Sequence, residues 1–225
     1  MKKVIVLLAL FLSIQSIAQE TVNVKLGTFS ELKVFNGLHV TLVKSDSSAI
    51  KATGKKASDL VYKTVNDRLK LSMRFPETFS YNDVKVTVFY KDPLYLIDIN
   101  EGGVLHAKTE FEQQSIELRA QEGAEVKVKL KVKYLDIKAI TGGKIYVDGS
   151  VTNQEIEANT GGIYKALEVA SDAVNVVCAS GAVAYIQAKD LVNAKVKFGG
   201  TVYYKGEPAE LITEKVLGGT IKQKN

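Results

Sequence analysis

Apolar and polar residues alternate along most of this chain, and seven pairs of small residues, each opening with glycine, divide the alternation into repeats. The first glycines of successive pairs are 18 to 21 residues apart. The pairs are Gly102-Gly103, Gly123-Ala124, Gly142-Gly143, Gly161-Gly162, Gly181-Ala182, Gly199-Gly200 and Gly218-Gly219. Five and three residues before each first glycine, and three and five after it, the residues are mostly aliphatic, whereas those between are mostly polar. A period of two predicts strands on either side of a glycine corner.

No helical period separates these strands, so the repeat predicts an all-β parallel β-helix, a solenoid with rungs of about 19–20 residues. Equivalent residues of successive rungs then stack in columns, with aliphatic columns inside and polar columns outside. The glycines suit a corner that requires φ > 0, or one where backbones crowd too closely for a Cβ. An ordinary β-sandwich is the runner-up, but it does not account for a constant repeat with aligned columns.

The N-terminal third also alternates, with looser spacing. Leu32, Val34, Val40 and Leu42 surround Asn36-Gly37 at the offsets found around the later corners. We therefore divide the chain into a signal peptide at 1–18, an N-terminal β region at 19–95 that caps one end of the solenoid, and β-helix repeats at 96–225. A cap is expected because a bare solenoid end exposes strand edges. The second and third regions are expected to form one continuous unit.

The first residues have the features of an export signal. Lys2 and Lys3 precede an apolar run at 4–12, and Ser16-Ile17-Ala18 supplies small residues for cleavage after Ala18. After removal of Lys2 and Lys3 with the signal peptide, the chain has 28 basic and 25 acidic residues, so its net charge is +3. That mild charge, carried mainly by lysine, disfavours nucleic acid as a partner. No later stretch is long and apolar enough to span a membrane.

The residues with catalytic or metal-binding chemistry are few and scattered. His39 and His106 are expected to lie far apart in the stack, and Cys178 falls in an inward column, so no metal site, cofactor or catalytic residue is assigned. The best case for an enzyme is a group of carboxylates, Asp98, Glu101 and Glu122, on two successive rungs. A calcium ion could relieve their repulsion, as could the nearby Arg119. The alternative interpretation of this group is a solvated polar corner.

One outward column, four residues after the first glycine of each pair, mixes aromatic and basic side chains. We call it the Tyr/Lys ladder. Its candidate ligand-binding members are Lys127, Tyr146, Lys165, Tyr185 and Tyr203, and His106 and Lys222 continue it at either end. Aromatic rings with polar rims suit sugars, and lysine suits acidic groups. Tyrosine and lysine are also ordinary on exposed strands, because tyrosine favours β structure and lysine discourages edge pairing.

Two segments resemble a known family. The stretch from Phe29 to Leu42 is similar to the opening motif of the putative auto-transporter adhesin, head GIN domain family, and Tyr203 to Pro208 is similar to its closing segment. The resemblance implies an exported, right-handed β-helix protein and carries no catalytic residues.

Together these observations predict an exported, non-enzymatic β-helix protein in the periplasm or at the cell surface, acting as a structural or adhesin-like binding module. Its partner would be a glycan, another envelope component or a protein. The alternative is a carbohydrate-active enzyme, a polysaccharide lyase or hydrolase, on the same scaffold. A homo-oligomer that pairs through a flat solenoid face is a third hypothesis.

Overall fold

The computed structural model describes residues 20–74 and 84–224, so the predicted signal peptide lies outside the described residues. Nineteen strands join in one continuous sheet, and a short 3-10 helix at Ala57–Asp59 is the single helical element of the described part. The N-terminal strands are β1 (Thr21–Lys25), β2 (Glu31–Val34), β3 (His39–Lys44), β4 (Ala49–Thr53), β5 (Leu60–Val65), β6 (Arg68–Met73) and β7 (Lys85–Tyr90).

The remaining strands wind into a stack of parallel coils. They are β8 (Leu96–Ile99), β9 (Val104–Ala107), β10 (Phe111–Gln121), β11 (Glu125–Ile140), β12 (Lys144–Asn159), β13 (Ile163–Lys165), β14 (Ala173–Ala179), β15 (Val183–Gln187), β16 (Leu191–Lys197), β17 (Thr201–Lys205), β18 (Glu210–Val216) and β19 (Thr220–Gln223). The pairings β8–β10–β11–β12–β14–β16–β18 form a pre-corner stack, and β9–β11–β12–β13–β15–β17–β19 form a post-corner stack. The strands β11 and β12 belong to both stacks because each runs from one corner to the next.

The parallel pairs keep equivalent residues in register, which confirms the predicted all-β solenoid. Ile97 pairs with Leu118, which pairs in turn with Ile137, and the inward columns are buried. The columns three and five residues from the corner glycines contribute most of the apolar core between residues 97 and 202. Burial of this apolar surface is the main force that holds the coils together. The right-handed sense remains a prediction.

Each corner is a tight turn of the type I′ class. The residue before the first glycine has φ between 47° and 55°, and the first glycine has φ between 71° and 83°. The turn closes with a hydrogen bond such as that from the Gly162 amide to the Asn159 carbonyl at 3.0 Å. Asn36-Gly37 has the same geometry, with φ of 56° and 63°.

The second residue of the pair is small for a different reason. A Cβ built on Gly162 would lie 1.9 Å from the carbonyl oxygen of Ala139 on the preceding coil, and Gly143 and Gly200 are similarly crowded. Gly161, in contrast, has no atom within 4 Å of a Cβ but has φ of +72°. Positive φ and close backbone approach therefore fall on different glycines of one pair.

The N-terminal strands extend the same stack, in an order that differs from their order in the chain. β2 and β3 pair in parallel with β8 and β9, which aligns Leu32 with Ile97 and Val40 with Leu105. On their other side they pair with β6 and β7, although those strands come later in the sequence. Antiparallel strands complete this end: β5 on β6, and β4 followed by β1 on β7. The division of the chain into an N-terminal region at 19–95 and repeats at 96–225 remains a prediction.

One buried polar network interrupts the aliphatic interior. Gln154 is 2% exposed and occupies an inward column whose neighbours are Leu135 and Val174. The Tyr164 hydroxyl donates to the Gln154 side-chain oxygen, and the Gln154 amide donates to the Ser171 hydroxyl. Because a buried hydroxyl needs a partner, Tyr164 in the core accounts for a glutamine where other coils carry an aliphatic residue.

Candidate functional site

The structure brings the five candidate residues of the Tyr/Lys ladder together in one column of neighbouring strands. Lys127 on β11 pairs with Tyr146 on β12, which pairs with Lys165 on β13. Lys165 pairs with Tyr185 on β15, which pairs with Tyr203 on β17. All five are exposed or half-buried. Because parallel strands lie about 4.8 Å apart, the column from Lys127 to Tyr203 is about 19 Å long.

The ladder side chains contact one another closely. The rings of Tyr185 and Tyr203 stack with centroids 5.0 Å apart and planes inclined by 22°. The Lys165 ammonium lies 5.5 Å from the Tyr146 ring centroid and 5.9 Å from that of Tyr185. Lys224, which the sequence analysis did not include, lies 5.1 Å from the Tyr185 ring centroid and 5.7 Å from that of Tyr203. These are cation–π distances, so the ring faces are largely occupied by neighbours.

The charged groups of the ladder differ from those of the neighbouring column. Neither Lys127 nor Lys165 forms an ion pair with a described residue, whereas Lys129 and Lys205 in the neighbouring column pair with Glu110 at 3.5 Å and with Glu168 at 2.8 Å. Burial, followed by the charge of Glu125, raises the pKa of Tyr146 above its usual value. The ladder therefore offers ammonium groups and phenol hydroxyls to a ligand.

A shallow pocket of about 420 Å³ adjoins the N-terminal end of the ladder. It is lined by Lys127 and by the basic residues His106, Lys108 and Lys129, with Asp148 as its one acidic member among the lining residues. Positive charge thus extends from the ladder into a concave surface, where field lines are concentrated.

A second, larger groove lies at the bend between the post-corner and pre-corner strands, and the sequence analysis did not predict it. It encloses about 880 Å³ and crosses several coils, with Val132, Val151 and Ala188 in its floor and Lys131, Lys133 and Lys189 among its charged margins. Lys131 is already paired with Glu112 at 2.6 Å. No repeating sequence pattern marks the groove, because the bend varies in length and composition from coil to coil.

Two of the three candidate carboxylates, Asp98 and Glu101, already have partners within the chain. Asp98 is 2% exposed, and its carboxylate forms an ion pair with the Lys33 ammonium, with the Nζ and Oδ2 atoms 2.8 Å apart. Asn100 and Gln121 donate further hydrogen bonds to it. Glu101 accepts hydrogen bonds from the backbone and side chain of Asn36. The described residues contain no group of three or more His, Cys, Asp or Glu side chains placed to hold a metal ion.

Arg119 lies on the strand next to Asp98, close enough for their charges to interact, but its hydrogen bonds go to Glu117. Arg119 donates two hydrogen bonds to Glu117 at 2.6 and 2.9 Å, and Lys138 lies 3.5 Å from the same carboxylate. Burial alone would raise the pKa of Glu117, but the hydrogen bond and charge of Arg119, together with Lys138, hold that pKa below its usual value. This pre-corner face is therefore an internally neutralised network of charges, unlike the ladder.

Cys178 lies in the inward column as predicted, and burial raises the pKa of its thiol to about 12. The expected wide separation of the two histidines is wrong. His39 on β3 and His106 on β9 lie on paired strands, because the coil formed by β6 and β7 stacks outside β3 rather than between β3 and β9. Both histidines are exposed and belong to no candidate metal group within the described residues.

These features define a parallel β-solenoid with an outward aromatic and basic column. The sequence model described as putative auto-transporter adhesin, head GIN domain, matches residues 28–208, and the chain belongs to this family. No curated protein matches the chain. Across residues 20–74 and 84–224, no helix has the length and apolar character needed to cross a membrane.

Several solved structures share the fold. A putative adhesin from Bacteroides fragilis is 16% identical, with a TM-score of 0.84 over 93% of this chain and 98% of the other. A putative adhesin from Parabacteroides merdae is 15% identical, with a TM-score of 0.73 over the same shares. A putative lipid binding protein from Parabacteroides distasonis is 17% identical, with a TM-score of 0.70, again over 93% and 98% of the two chains. At these identities the likeness concerns the fold.

Proposed function

We propose that this protein is exported and serves as a non-enzymatic, adhesin-like binding module of the cell envelope, and that its Tyr/Lys ladder contacts an acidic glycan. The observation that carries the proposal is the alignment of Lys127, Tyr146, Lys165, Tyr185 and Tyr203 in one exposed column, with two lysines that have no acidic partner in the part of the chain that the structure describes. The family description, which names adhesins, supports the binding role.

The arrangement of the ladder favours an acidic ligand over a neutral sugar. A neutral sugar ring gains most by stacking its C–H face on a free aromatic face. Here the tyrosine faces contact one another and the Lys165 and Lys224 ammonium groups. What remains for a ligand is the ammonium groups and hydroxyl edges, and these suit carboxylate or sulfate groups.

The length of the ladder favours a polymer. Single surface lysines contribute little binding energy because water screens their charges. The two lysines of the column, Lys127 and Lys165, can engage two acidic groups of one chain, which raises the effective concentration of the second contact. The basic pocket at His106 and Lys108 would extend the contact beyond Lys127.

Export rests on the predicted signal peptide at 1–18. Expression of the full chain in a bacterium with an outer membrane, followed by N-terminal sequencing of the secreted or periplasmic protein, tests it. Cleavage after Ala18 is the expected result, and retention of residues 1–18 on a cytoplasmic protein would refute the export proposal.

The binding proposal is tested by titrating the purified protein with polygalacturonate, an acidic polymer, and with dextran, a neutral one. We expect binding of polygalacturonate alone, weakening as salt rises, and at least tenfold weaker binding by Lys127→Ala/Lys165→Ala. Lys133→Ala/Lys189→Ala, which removes the same charge from the margin of the bend groove, should bind like the wild type. Equal losses in both double variants, or binding of dextran with the same affinity, would contradict a role of the ladder.

A further inference from the structure

Two large apolar side chains lie exposed at the corners of the last two coils. Leu217 is 74% exposed and Phe198 is 58% exposed, and no other large apolar side chain of residues 20–74 and 84–224 is as exposed. Each comes directly before the first glycine of its pair, and the Phe198 amide donates to the Val216 carbonyl at 3.1 Å, so the two corners are neighbours. Phe198 and Leu217 therefore form one apolar patch, which we call the corner tip.

The backbone conformation makes these two residues unusual at this position. Phe198 and Leu217 have φ of 47° and 54°, in the left-handed region that favours glycine, asparagine and aspartate and is costly for bulky side chains. Neither side chain is buried, so packing within the chain does not offset the cost, and this indicates a contact outside the chain. The other five corners have polar residues at the same position: Glu101, Glu122, Thr141, Thr160 and Ser180.

Positive charge is concentrated in the same coils. Residues 195–225 contain six lysines and three glutamates, whereas residues 19–194 contain 22 basic and 22 acidic residues. Apart from the predicted signal peptide, the net positive charge of the chain therefore lies around the corner tip. Lys197 and Lys215 come one and two residues before the tip residues, and neither forms an ion pair with another residue of the described ranges.

Apolar side chains flanked by lysines match the chemistry of an anionic lipid surface. The apolar groups enter the boundary between headgroups and acyl chains, while ammonium groups remain at the level of the lipid phosphates. Each lysine near such a surface adds electrostatic attraction. Glu101 and Glu122, at the other end of the corner column, would be repelled by the same surface, so the contact is restricted to the last coils.

The size and charge of the corner tip disfavour a second copy of the chain as the partner. A large apolar side chain exposes roughly 200 Å² when fully accessible, so the two tip side chains offer on the order of 250 Å². A stable protein interface buries about 800 Å² on each partner. Two copies that met at their tips would also bring Lys197 and Lys215 of each copy towards those of the other.

We propose that the corner tip docks this protein on the surface of an anionic phospholipid bilayer. Phe198 and Leu217 insert between the headgroups, and Lys197 and Lys215 contact the lipid phosphates. This surface is separate from the Tyr/Lys ladder, whose two unpaired lysines lie on earlier coils, so the proposal goes beyond the glycan contact and does not depend on it.

Tryptophan fluorescence tests the insertion. The chain contains no tryptophan, so Phe198→Trp places a single reporter at the corner tip. Its emission should shift to shorter wavelength when the protein is mixed with vesicles of phosphatidylglycerol and phosphatidylcholine in equal amounts. The shift should weaken as salt rises and should be smaller with phosphatidylcholine alone, because the lysines then lack anionic partners. Tyr134→Trp, at a 49% exposed position on β11, is the matched control and should not respond.

Two outcomes of the fluorescence experiment would overturn the proposal. One is an absent shift at position 198, or an equal shift at positions 198 and 134. The other is a shift that needs no vesicles and grows with protein concentration, because it would assign the corner tip to a contact between copies.

Vesicle flotation measures the contribution of the corner tip without a reporter. Phe198→Ser/Leu217→Ser, which introduces the residue found at the Ser180 corner, should bind the anionic vesicles roughly tenfold more weakly, because the inserted apolar area is lost. Val61→Ser/Val65→Ser removes exposed apolar side chains from β5 at the opposite end of the stack and should bind like the wild type.

The ladder variant separates this proposal from the glycan proposal. Lys127→Ala/Lys165→Ala should float with the vesicles as the wild type does, even where it no longer binds polygalacturonate. Equal losses in the corner-tip and β5 variants, or loss of vesicle binding in the ladder variant alone, would contradict docking through Phe198 and Leu217.

Discussion

Replacing Gly162 with alanine should destabilise the protein far more than replacing its neighbour Gly161. The new Cβ at position 162 would lie 1.9 Å from the Ala139 carbonyl oxygen, about 1.5 Å inside the 3.4 Å at which ordinary contact begins. The obstacle is backbone of the preceding coil rather than a flexible side chain. Because coils are only about 4.8 Å apart, relief requires a shift of about a third of that spacing.

Such a shift would stretch the hydrogen bonds that join β11 and β12 near the corner. Overpacking of a rigid interior typically lowers the free energy of unfolding by about 1–3 kcal/mol. We expect the decrease caused by Gly162→Ala to lie at or above the top of that range. Gly161→Ala meets no atom within 4 Å and bears only the strain of φ at +72°, about 1–2 kcal/mol. Ala182→Gly, at the position equivalent to Gly162, should cost about 0.5–1 kcal/mol through chain entropy.

Urea denaturation, monitored by circular dichroism, compares the stability of the three variants with that of the wild type. Repeat proteins can depart from two-state unfolding, so the midpoint and slope are both compared. The reasoning is refuted if Gly161→Ala loses more stability than Gly162→Ala, since positive φ would then outweigh the approach of the two coils.

Three further predictions concern single side chains. Cys178, whose thiol pKa burial raises to about 12, should resist alkylation at pH 8 in the folded protein and react at once in denaturant; fast labelling of the folded protein would contradict its burial. Tyr164→Phe leaves the Gln154 oxygen without a donor and should cost about 1–3 kcal/mol, and adding Gln154→Leu should recover part of that loss in a denaturation cycle; additive losses would exclude the network. The pKa of Glu117 is lowered in the fold by Arg119 and Lys138 despite burial, so its stabilising contribution is complete above the unfolded-state pKa and disappears as the pH falls through the folded-state pKa. Glu117→Gln should therefore flatten the acid limb of the stability–pH curve, and an unchanged limb would contradict this assignment.

The repeat could be predicted from the sequence because every coil needs the same kinds of residue at the same positions. Inward columns need aliphatic side chains, and the corner needs glycine where φ is positive, so the period is visible in the residues themselves. Ile97, Leu118 and Ile137 align in sequence and in space for that reason. The same repetition placed Lys127 and Tyr203 on one exterior column.

The N-terminal order could not be predicted in this way, because the alternation of β6 and β7 does not say on which side of β2 and β3 they stack. That choice placed His39 on the strand next to His106. The bend groove was missed for a related reason, since the residues between stacks follow no period. Lys224 was missed because its ammonium reaches the rings of Tyr185 and Tyr203 from a neighbouring column.

Protection of individual lysines from acetylation tests the proposed ligand surface most directly. The protein is acetylated with and without saturating polygalacturonate, and the modified lysines are quantified by mass spectrometry. Binding through the ladder predicts that Lys127 and Lys165 become protected, while Lys133 and Lys189 at the bend groove react as before. Protection of the groove lysines with unchanged labelling of Lys127 and Lys165 would contradict the assignment of binding to the ladder.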